Sequence, residues 1–113
     1  MTLQYGDIHW IDFPNRGGHE QSGRRPGLIW LDDPYLHLPA VLVIPFTSKL
    51  ATQRYDGTYL IQPTSTNGLA TPSVALVFQL GAFDCNRIQQ RMGQIDDPDL
   101  KAIADIARKL QRM

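Results

Sequence analysis

The feature that most constrains the fold is an uninterrupted apolar run, Ala-Val-Leu-Val-Ile, at residues 40–44. Its β-branched side chains favour a strand, and the lack of a polar position predicts that this strand is central and buried. Six or seven short strands spaced by turn signals predict a mainly β fold, either a barrel or a compact sandwich. The other strand-like runs lie at residues 8–13, 27–31, 58–62, 73–80, 82–88 and 89–95.

The hydrophobic period changes at the C-terminus. Asp97 is a suitable helix cap, Pro98 suits the first helical position, and Asp99 suits the positive end of the helix dipole. Apolar residues then recur at helical spacing, which predicts a C-terminal α-helix that covers one end of the barrel. These apolar residues are Leu100, Ile103, Ala107 and Leu110.

Length and composition narrow the class of protein. The 113 residues predict a single domain over residues 1–113, and eleven basic residues balance eleven acidic ones. No global field then steers the protein to nucleic acid, so any RNA binding requires a local basic patch. Cys85 is the only cysteine and is interpreted as a packing residue, the alternative being a reactive thiol. The start resembles no signal peptide and no apolar run approaches a membrane span, so we expect a soluble, cytoplasmic protein.

Chemically active side chains concentrate in residues 17–26, Gly-Gly-His-Glu-Gln-Ser-Gly-Arg-Arg-Pro. The glycines permit positive φ angles, so this segment is predicted to be a loop between two strands, where side chains can converge. It carries an imidazole, a carboxylate, an amide and two guanidiniums. The alternative is a solvated surface loop.

Several blocks, one of them within this loop, follow one another along nearly the whole chain. They are residues 6–13 (Gly-Asp-Ile-His-Trp-Ile-Asp-Phe), 18–26, 43–48 (Val-Ile-Pro-Phe-Thr-Ser, similar to V-x-P-x-T-S), 68–73 (Gly-Leu-Ala-Thr-Pro-Ser), Gln79-Leu80 and Asp84. In this order they resemble the MazF/PemK/Kid toxin family. The resemblance implies a homodimeric SH3-like, PemK-type barrel that cuts single-stranded mRNA without metal or cofactor and is neutralised by a cognate antitoxin protein.

RNA can be cut with its own 2′-hydroxyl as nucleophile, which requires a base, a cation and an acid. Arg25 is the first candidate for the cation, because its planar fork can hold phosphate oxygens; the alternative is a surface ion pair. The family's final Arg-Pro pair also implies Arg25, which leaves Arg24 as a further phosphate contact. Glu20 is the candidate base, and the resemblance implies the same residue. The resemblance also implies that Thr47 contacts phosphate or the 2′-hydroxyl; the alternative is strand-end hydrogen bonding.

Further residues are candidates for substrate binding. His19 could act as base or acid, or simply contact RNA. Gln21 could shape the loop or be exposed filler, and Ser48 and Arg16 could contribute a hydroxyl and a charge. Phe46 is a candidate for base stacking, as are two tyrosines in polar segments. The tyrosines are Tyr35 and Tyr55, whereas Trp10, Trp30 and Phe83 are expected in the core.

Two departures from the family pattern leave other readings open. Leu76 and Phe78 occupy positions where some relatives place catalytic arginine and aspartate, and we expect Phe78 to pack beneath the loop. One alternative is therefore a decayed member that still binds RNA or antitoxin. A second alternative, independent of these positions, is a non-catalytic CcdB-like toxin of the same fold that binds a protein target. A metal site is not expected, because the histidines are far apart and no Cys or His pair has zinc spacing.

Overall fold

The computed structural model describes residues 2–14 and 23–111. Within these residues it contains seven β-strands and one α-helix, which confirms the prediction of a mainly β fold with a C-terminal helix. The strands are β1 (Asp7–Phe13), β2 (Gly23–Ile29), β3 (Ala40–Thr47), β4 (Thr58–Ile61), β5 (Ser73–Leu76), β6 (Gly81–Asp84) and β7 (Ile88–Gln94), and the helix is α1 (Asp97–Leu110). Short 3-10 helices lie at Asp33–Tyr35, Leu50–Arg54, Val77–Gln79 and Cys85–Arg87.

The strand predicted to be central is the centre of the sheet. The strand order is β4-β5-β3-β2-β1-β7, and β6 also pairs with β3. β3 therefore has three antiparallel partners, with β2 beside residues 43–45, β5 beside residues 46–47 and β6 beside residues 40–43. Residues 43–47 are all buried. A β-branched, polar-free run provides the side chains that such a doubly covered strand requires.

The loop between β4 and β5 joins the two ends of this strand order. The Gln94 amide of β7 donates to the Thr66 carbonyl at 2.9 Å. The backbones meet so closely that a Cβ on Gly93 would lie 2.4 Å from that carbonyl oxygen. Position 68 also requires a glycine, since its φ is +70° and a Cβ there would lie 2.2 Å from the Met92 carbonyl oxygen. This contact closes the curled sheet into a barrel.

Two apolar clusters lie on the two faces of the sheet. One cluster contains Ile8, Leu28 and Phe46 together with Ile103 and Ala107 of α1, so the helix covers the barrel as predicted. The second cluster contains side chains from the opposite face, and Cys85 packs against it, which agrees with a packing role. Its buried members are Ile11, Phe13, Ile29, Val41, Val43, Phe83 and Ile88.

Several predicted boundaries were wrong. Asp96, not Asp97, occupies the cap position of α1, and its carboxylate accepts a bond from the Thr64 hydroxyl at 2.7 Å. β2 begins at Gly23 instead of residue 27, because the pairing with β1 extends to Gly23, which lies opposite Phe13. The two strands predicted at residues 82–88 and 89–95 are present with other bounds, since β6 already ends at Asp84 and β7 begins at Ile88.

The predicted strand at residues 73–80 is interrupted for a reason that the register shows. Ala75 pairs with Phe46 of β3, and Gly81 pairs with Val43 of the same strand. Between these two pairs lie five residues on one side, 76–80, and only two on the other, 44–45, and the three extra residues form the 3-10 helix Val77–Gln79. Hence Phe78 projects outward and is 43% exposed. Within the described chain, no helix is long and apolar enough to cross a membrane.

Candidate functional site

A pocket of about 220 Å³ opens where β2 begins and β3 ends; it is called the strand-end pocket below. Four separate parts of the chain contribute to it: β1, the start of β2, the end of β3 with its following residue, and the β4–β5 loop with the adjoining strands. Its lining residues are Trp10, Arg24, Arg25, Pro26, Phe46, Thr47, Ser48, Leu69, Ala70, Thr71, Ser73 and Met92.

Arg25 and Thr47 both line this pocket, because the start of β2 lies beside the end of β3. The last ladder pair of the two strands is Gly27 with Pro45, and Arg25 and Thr47 each lie two residues beyond it. Arg25 is half-buried, and Thr47 is 1% exposed. The Thr47 hydroxyl oxygen accepts the Lys49 amide at 3.2 Å, so its hydrogen can be donated to a second acceptor. A guanidinium and a hydroxyl on rigid strands suit recognition of phosphate oxygens.

Arg24 is held on the neighbouring strands by three contacts. Its guanidinium carbon lies 4.2 Å from the centre of the Trp10 ring. Its Nε donates to Gln89 Oε1 at 2.7 Å, and its Nη2 donates to Gln90 Oε1 at 3.1 Å. The prediction that Trp10 belongs to the core was wrong: its ring is half-buried and lies below Arg24 at the pocket. Likewise, Arg24 and Arg25 lie on β2 and not in the loop.

The wall of the pocket formed by the β4–β5 loop depends on one buried asparagine. Asn67 is 0% exposed. Its Oδ1 accepts from the amides of Thr64 and Leu69, both at 3.0 Å, and its Nδ2 donates to the Gln62 carbonyl at 2.9 Å. These bonds hold the backbone of Leu69, Ala70 and Thr71 against the pocket. None of the three was predicted as a site residue, although the family-like block at residues 68–73 carried the signal.

The charge of the pocket differs from that of the whole chain. The chain is formally neutral at pH 7. Arg24 and Arg25 line the pocket, and none of the lining residues that the structure describes bears a carboxylate. The local cationic patch that RNA binding would require is therefore present, and it suits an anionic ligand.

The structure brings together Arg24, Arg25, Thr47 and Ser48 among the predicted site residues. Phe46 also borders the pocket but is 0% exposed, which removes its ring from the candidates for base stacking. Tyr35 and Tyr55 are exposed elsewhere. The remaining predicted residues, Arg16, His19, Glu20 and Gln21, lie outside the described residues.

The two positions that depart from the family pattern lie away from this pocket. Leu76 is 1% exposed within β5. Phe78 borders a different cavity of about 300 Å³, the helix-end groove, where the end of α1 and the Tyr55 ring lie beside it. The ring of Phe78 lies 6.1 Å from the Tyr55 ring, whereas residues 17–22 of the loop beneath which it was expected to pack lie outside the described residues. The groove is lined by Val77, Phe78, Leu80, Ala107, Leu110 and Gln111.

Potential metal ligands do not cluster in the part of the chain that the structure describes. Residues 2–14 and 23–111 contain no group of three His, Cys, Asp or Glu side chains that could hold a metal ion. The polar groups that the described residues offer to a ligand in the pocket are the arginines, the hydroxyls and the backbone.

Fold and pocket together define a class: a small antiparallel β-barrel with a C-terminal helix and a cationic pocket at its strand ends. Comparison with known families agrees with this class and makes it specific. The family of PemK-like, MazF-like toxins of type II toxin–antitoxin systems matches residues 4–112, and the chain belongs to this family. The resemblance noted in the sequence is thereby confirmed.

Individual members of the family resemble this chain in sequence and in fold. The chain is 26% identical over 102 residues to the endoribonuclease MazF of Staphylococcus saprophyticus, covering 89% of this chain and 84% of that protein. The crystal structure of MazF from Deinococcus radiodurans superposes with a TM-score of 0.83 at 22% identity, covering 100% of this chain and 99% of the other. A mycobacterial endoribonuclease in complex with its cognate antitoxin gives 0.77 at 14% identity, covering 98% and 96%.

Proposed function

We propose that this protein is a toxin that cuts single-stranded mRNA as a sequence-selective endoribonuclease, with the RNA 2′-hydroxyl as nucleophile and without a metal. The observation that carries the proposal is that Arg25 and Thr47 line the same cationic pocket at the strand ends. The similarity to an endoribonuclease MazF supports the same reaction class.

Each step of the reaction has a candidate group. Arg25 holds the phosphate oxygens through its fork and stays charged as the five-coordinate phosphorus forms. Thr47 donates its hydroxyl hydrogen to a phosphate oxygen or to the 2′-oxygen. Glu20 removes the 2′-hydroxyl proton, and His19 supplies a proton to the departing 5′-oxygen. The remaining contacts to the RNA come from Arg16, Gln21, Arg24 and Ser48.

Selectivity for a short sequence favours a single-stranded substrate. A protein can read base edges only when the bases are unstacked and unpaired, which single strands allow. The pocket provides backbone and hydroxyl groups for this purpose in the β4–β5 loop, at Ala70 and Thr71, both exposed.

The protein is proposed to act in the cytoplasm as a homodimer that a cognate antitoxin neutralises. The pocket's charge suits an acidic antitoxin segment as well as RNA, so the two ligands would compete and salt would weaken both. Saturating the protein with an antitoxin fragment should abolish RNA binding by a Glu20→Gln variant. Undiminished RNA affinity would place the inhibitor at another surface.

The decisive experiment incubates the protein with a defined RNA in the presence of EDTA and maps both ends of each cut. Attack by the 2′-hydroxyl yields 2′,3′-cyclic phosphate and 5′-hydroxyl ends, with activity unaffected by EDTA. The Arg25→Ala variant, purified identically, excludes a contaminating nuclease. Products with 5′-phosphate and a Mg²⁺ requirement would refute the mechanism. RNA binding without cleavage would indicate a decayed enzyme, and neither binding nor cleavage would favour a toxin that targets protein.

A further inference from the structure

We propose that the outer face of the Arg24 guanidinium, supported by Trp10, is the stacking platform for the nucleobase next to the cleaved phosphate. This inference rests on the proposed RNA cleavage and adds a residue that sets which nucleotide enters the pocket. It also differs from the phosphate contact that the sequence suggested for Arg24.

Within residues 2–14 and 23–111, the contacts of Arg24 leave one face of its plane available. The Trp10 ring covers the inner face, with 4.2 Å between the guanidinium carbon and the ring centre. The two hydrogen bonds to Gln89 and Gln90 leave from the edge of the plane, because guanidinium N–H groups lie within it. Arg24 is exposed and lines the pocket, so the face that Trp10 does not cover is the one open to a ligand there.

These contacts also determine where the guanidinium is held. Asp12 is the residue directly opposite Arg24 in the register of β1 and β2. Yet the Asp12 carboxylate pairs with Arg87, with Nη1 and Oδ2 3.5 Å apart. Among the described residues, Arg24 is instead fixed by a ring and two neutral amides. These contacts give it a defined plane, which is the arrangement that stacks on a base.

The position of the platform relative to Arg25 identifies the base. Arg24 and Arg25 are consecutive on β2, and although consecutive side chains leave opposite faces of a strand, both residues border the strand-end pocket. Because they share this pocket, the base of a nucleotide that adjoins a phosphate held by Arg25 lies within reach of Arg24. Stacking tolerates any base, and a two-ring purine covers more of the plane than a pyrimidine does.

The test removes the base and the platform separately. Cleavage and binding are measured on an RNA with its natural bases and on RNAs with one abasic nucleotide at each position flanking the cut. In the wild type, one flanking abasic position should lower kcat/KM by about 5- to 150-fold, the usual worth of one stacked base. In Arg24→Lys, which keeps the charge but loses the plane, that penalty should nearly vanish while the salt dependence of binding stays unchanged.

Two further variants make the test specific. Trp10→Leu removes the support of the plane and should reduce the abasic penalty as Arg24→Lys does; circular dichroism and a thermal melt confirm its folding. Arg54→Lys is the matched control, since Arg54 also stacks on a ring, that of Tyr55 at 4.8 Å, but borders no part of the pocket.

The outcomes separate this inference from the proposed function. An Arg24→Lys variant that keeps the full abasic penalty, or an equal loss of the penalty in Arg54→Lys, overturns the platform while RNA cleavage stands. The same holds if the wild type cleaves RNA but no flanking abasic position matters. A wild type that neither binds nor cuts any RNA overturns the proposed function and the platform together.

Discussion

The strand-end pocket and the helix-end groove are cavities of similar size, about 220 and 300 Å³, with opposite chemistry. The pocket collects two guanidiniums and several hydroxyls from distant parts of the chain. The groove collects apolar side chains from the three-residue insertion Val77–Gln79 and the last turns of α1. The first arrangement suits an anionic ligand and the second does not.

This contrast changes the meaning of the two departures from the family pattern. Leu76 is buried in β5, and Phe78 lies at the helix-end groove. Neither lines the pocket that contains Arg25 and Thr47. Their apolar character therefore removes no polar group from that pocket, which favours an active enzyme over a decayed one.

The largest expected effect is in the pocket. Arg25→Ala should lower kcat on the order of 10²–10³-fold, because it removes a donor that stabilises the transition state. Steady-state cleavage of a defined RNA measures this loss. Arg108→Ala is the control, since Arg108 lies exposed near the end of α1 and should leave kcat unchanged. Equal losses in the two variants would show that Arg25 has no special role.

The second prediction concerns the wall of the pocket. Asn67→Ala should lower the free energy of unfolding by about 2–3 kcal/mol, because it breaks three hydrogen bonds and leaves the buried Leu69 amide without its acceptor. Urea denaturation measures the loss, and KM should rise as the wall moves. Asn86→Ala, at an exposed asparagine, should change neither quantity. A wild-type stability would mean that the loop is held by its glycine contacts alone.

The third prediction tests the groove. Phe78→Asp should cost about 1 kcal/mol of stability, because it removes a ring that lies 6.1 Å from the Tyr55 ring while leaving the new carboxylate partly hydrated. It should not raise kcat, since position 78 is outside the strand-end pocket. Thermal unfolding and cleavage kinetics measure the two effects. A large gain in kcat would show that the groove takes part in catalysis, and would contradict the assignment of catalysis to the strand-end pocket alone.

The smallest expected effect is at the start of α1. The Tyr59 hydroxyl donates to Asp99 at 2.7 Å, and this bond, followed by burial, raises the pKa of Tyr59 above 10.0. Tyr59→Phe should cost about 0.5–1 kcal/mol of stability with no change in kcat. Because the folded-state pKa is raised, the contribution is complete below pH 10 and is lost as pH rises through the folded-state value. Urea denaturation of both proteins at pH 8 and above pH 10 checks this sign; a difference that persists at the higher pH would contradict it.

Much of the site could be predicted from short motifs, and the missing parts have a physical cause. Arg25 and Thr47 were identified from their own motifs, and the fold places both in the lining of the strand-end pocket. Trp10 was misplaced because an apolar aromatic near polar residues looks the same in sequence whether it lies in the core or below an arginine. Asn67 was overlooked since its importance comes from three backbone groups that only the folded loop brings to it.

The sequence by itself determined the local elements of this protein: the buried strand β3, the amphipathic helix α1 and the turn-rich loop before β5. Tertiary structure alone decided the pairing of strands, including the start of β2 at Gly23 and the insertion Val77–Gln79 that turns Phe78 outward. Hydrophobic periodicity depends on residues that are close in sequence, so a short stretch of the chain is enough to predict a strand or a helix. Register depends on partners tens of residues away, and it is register that decides which side chains meet in the pocket.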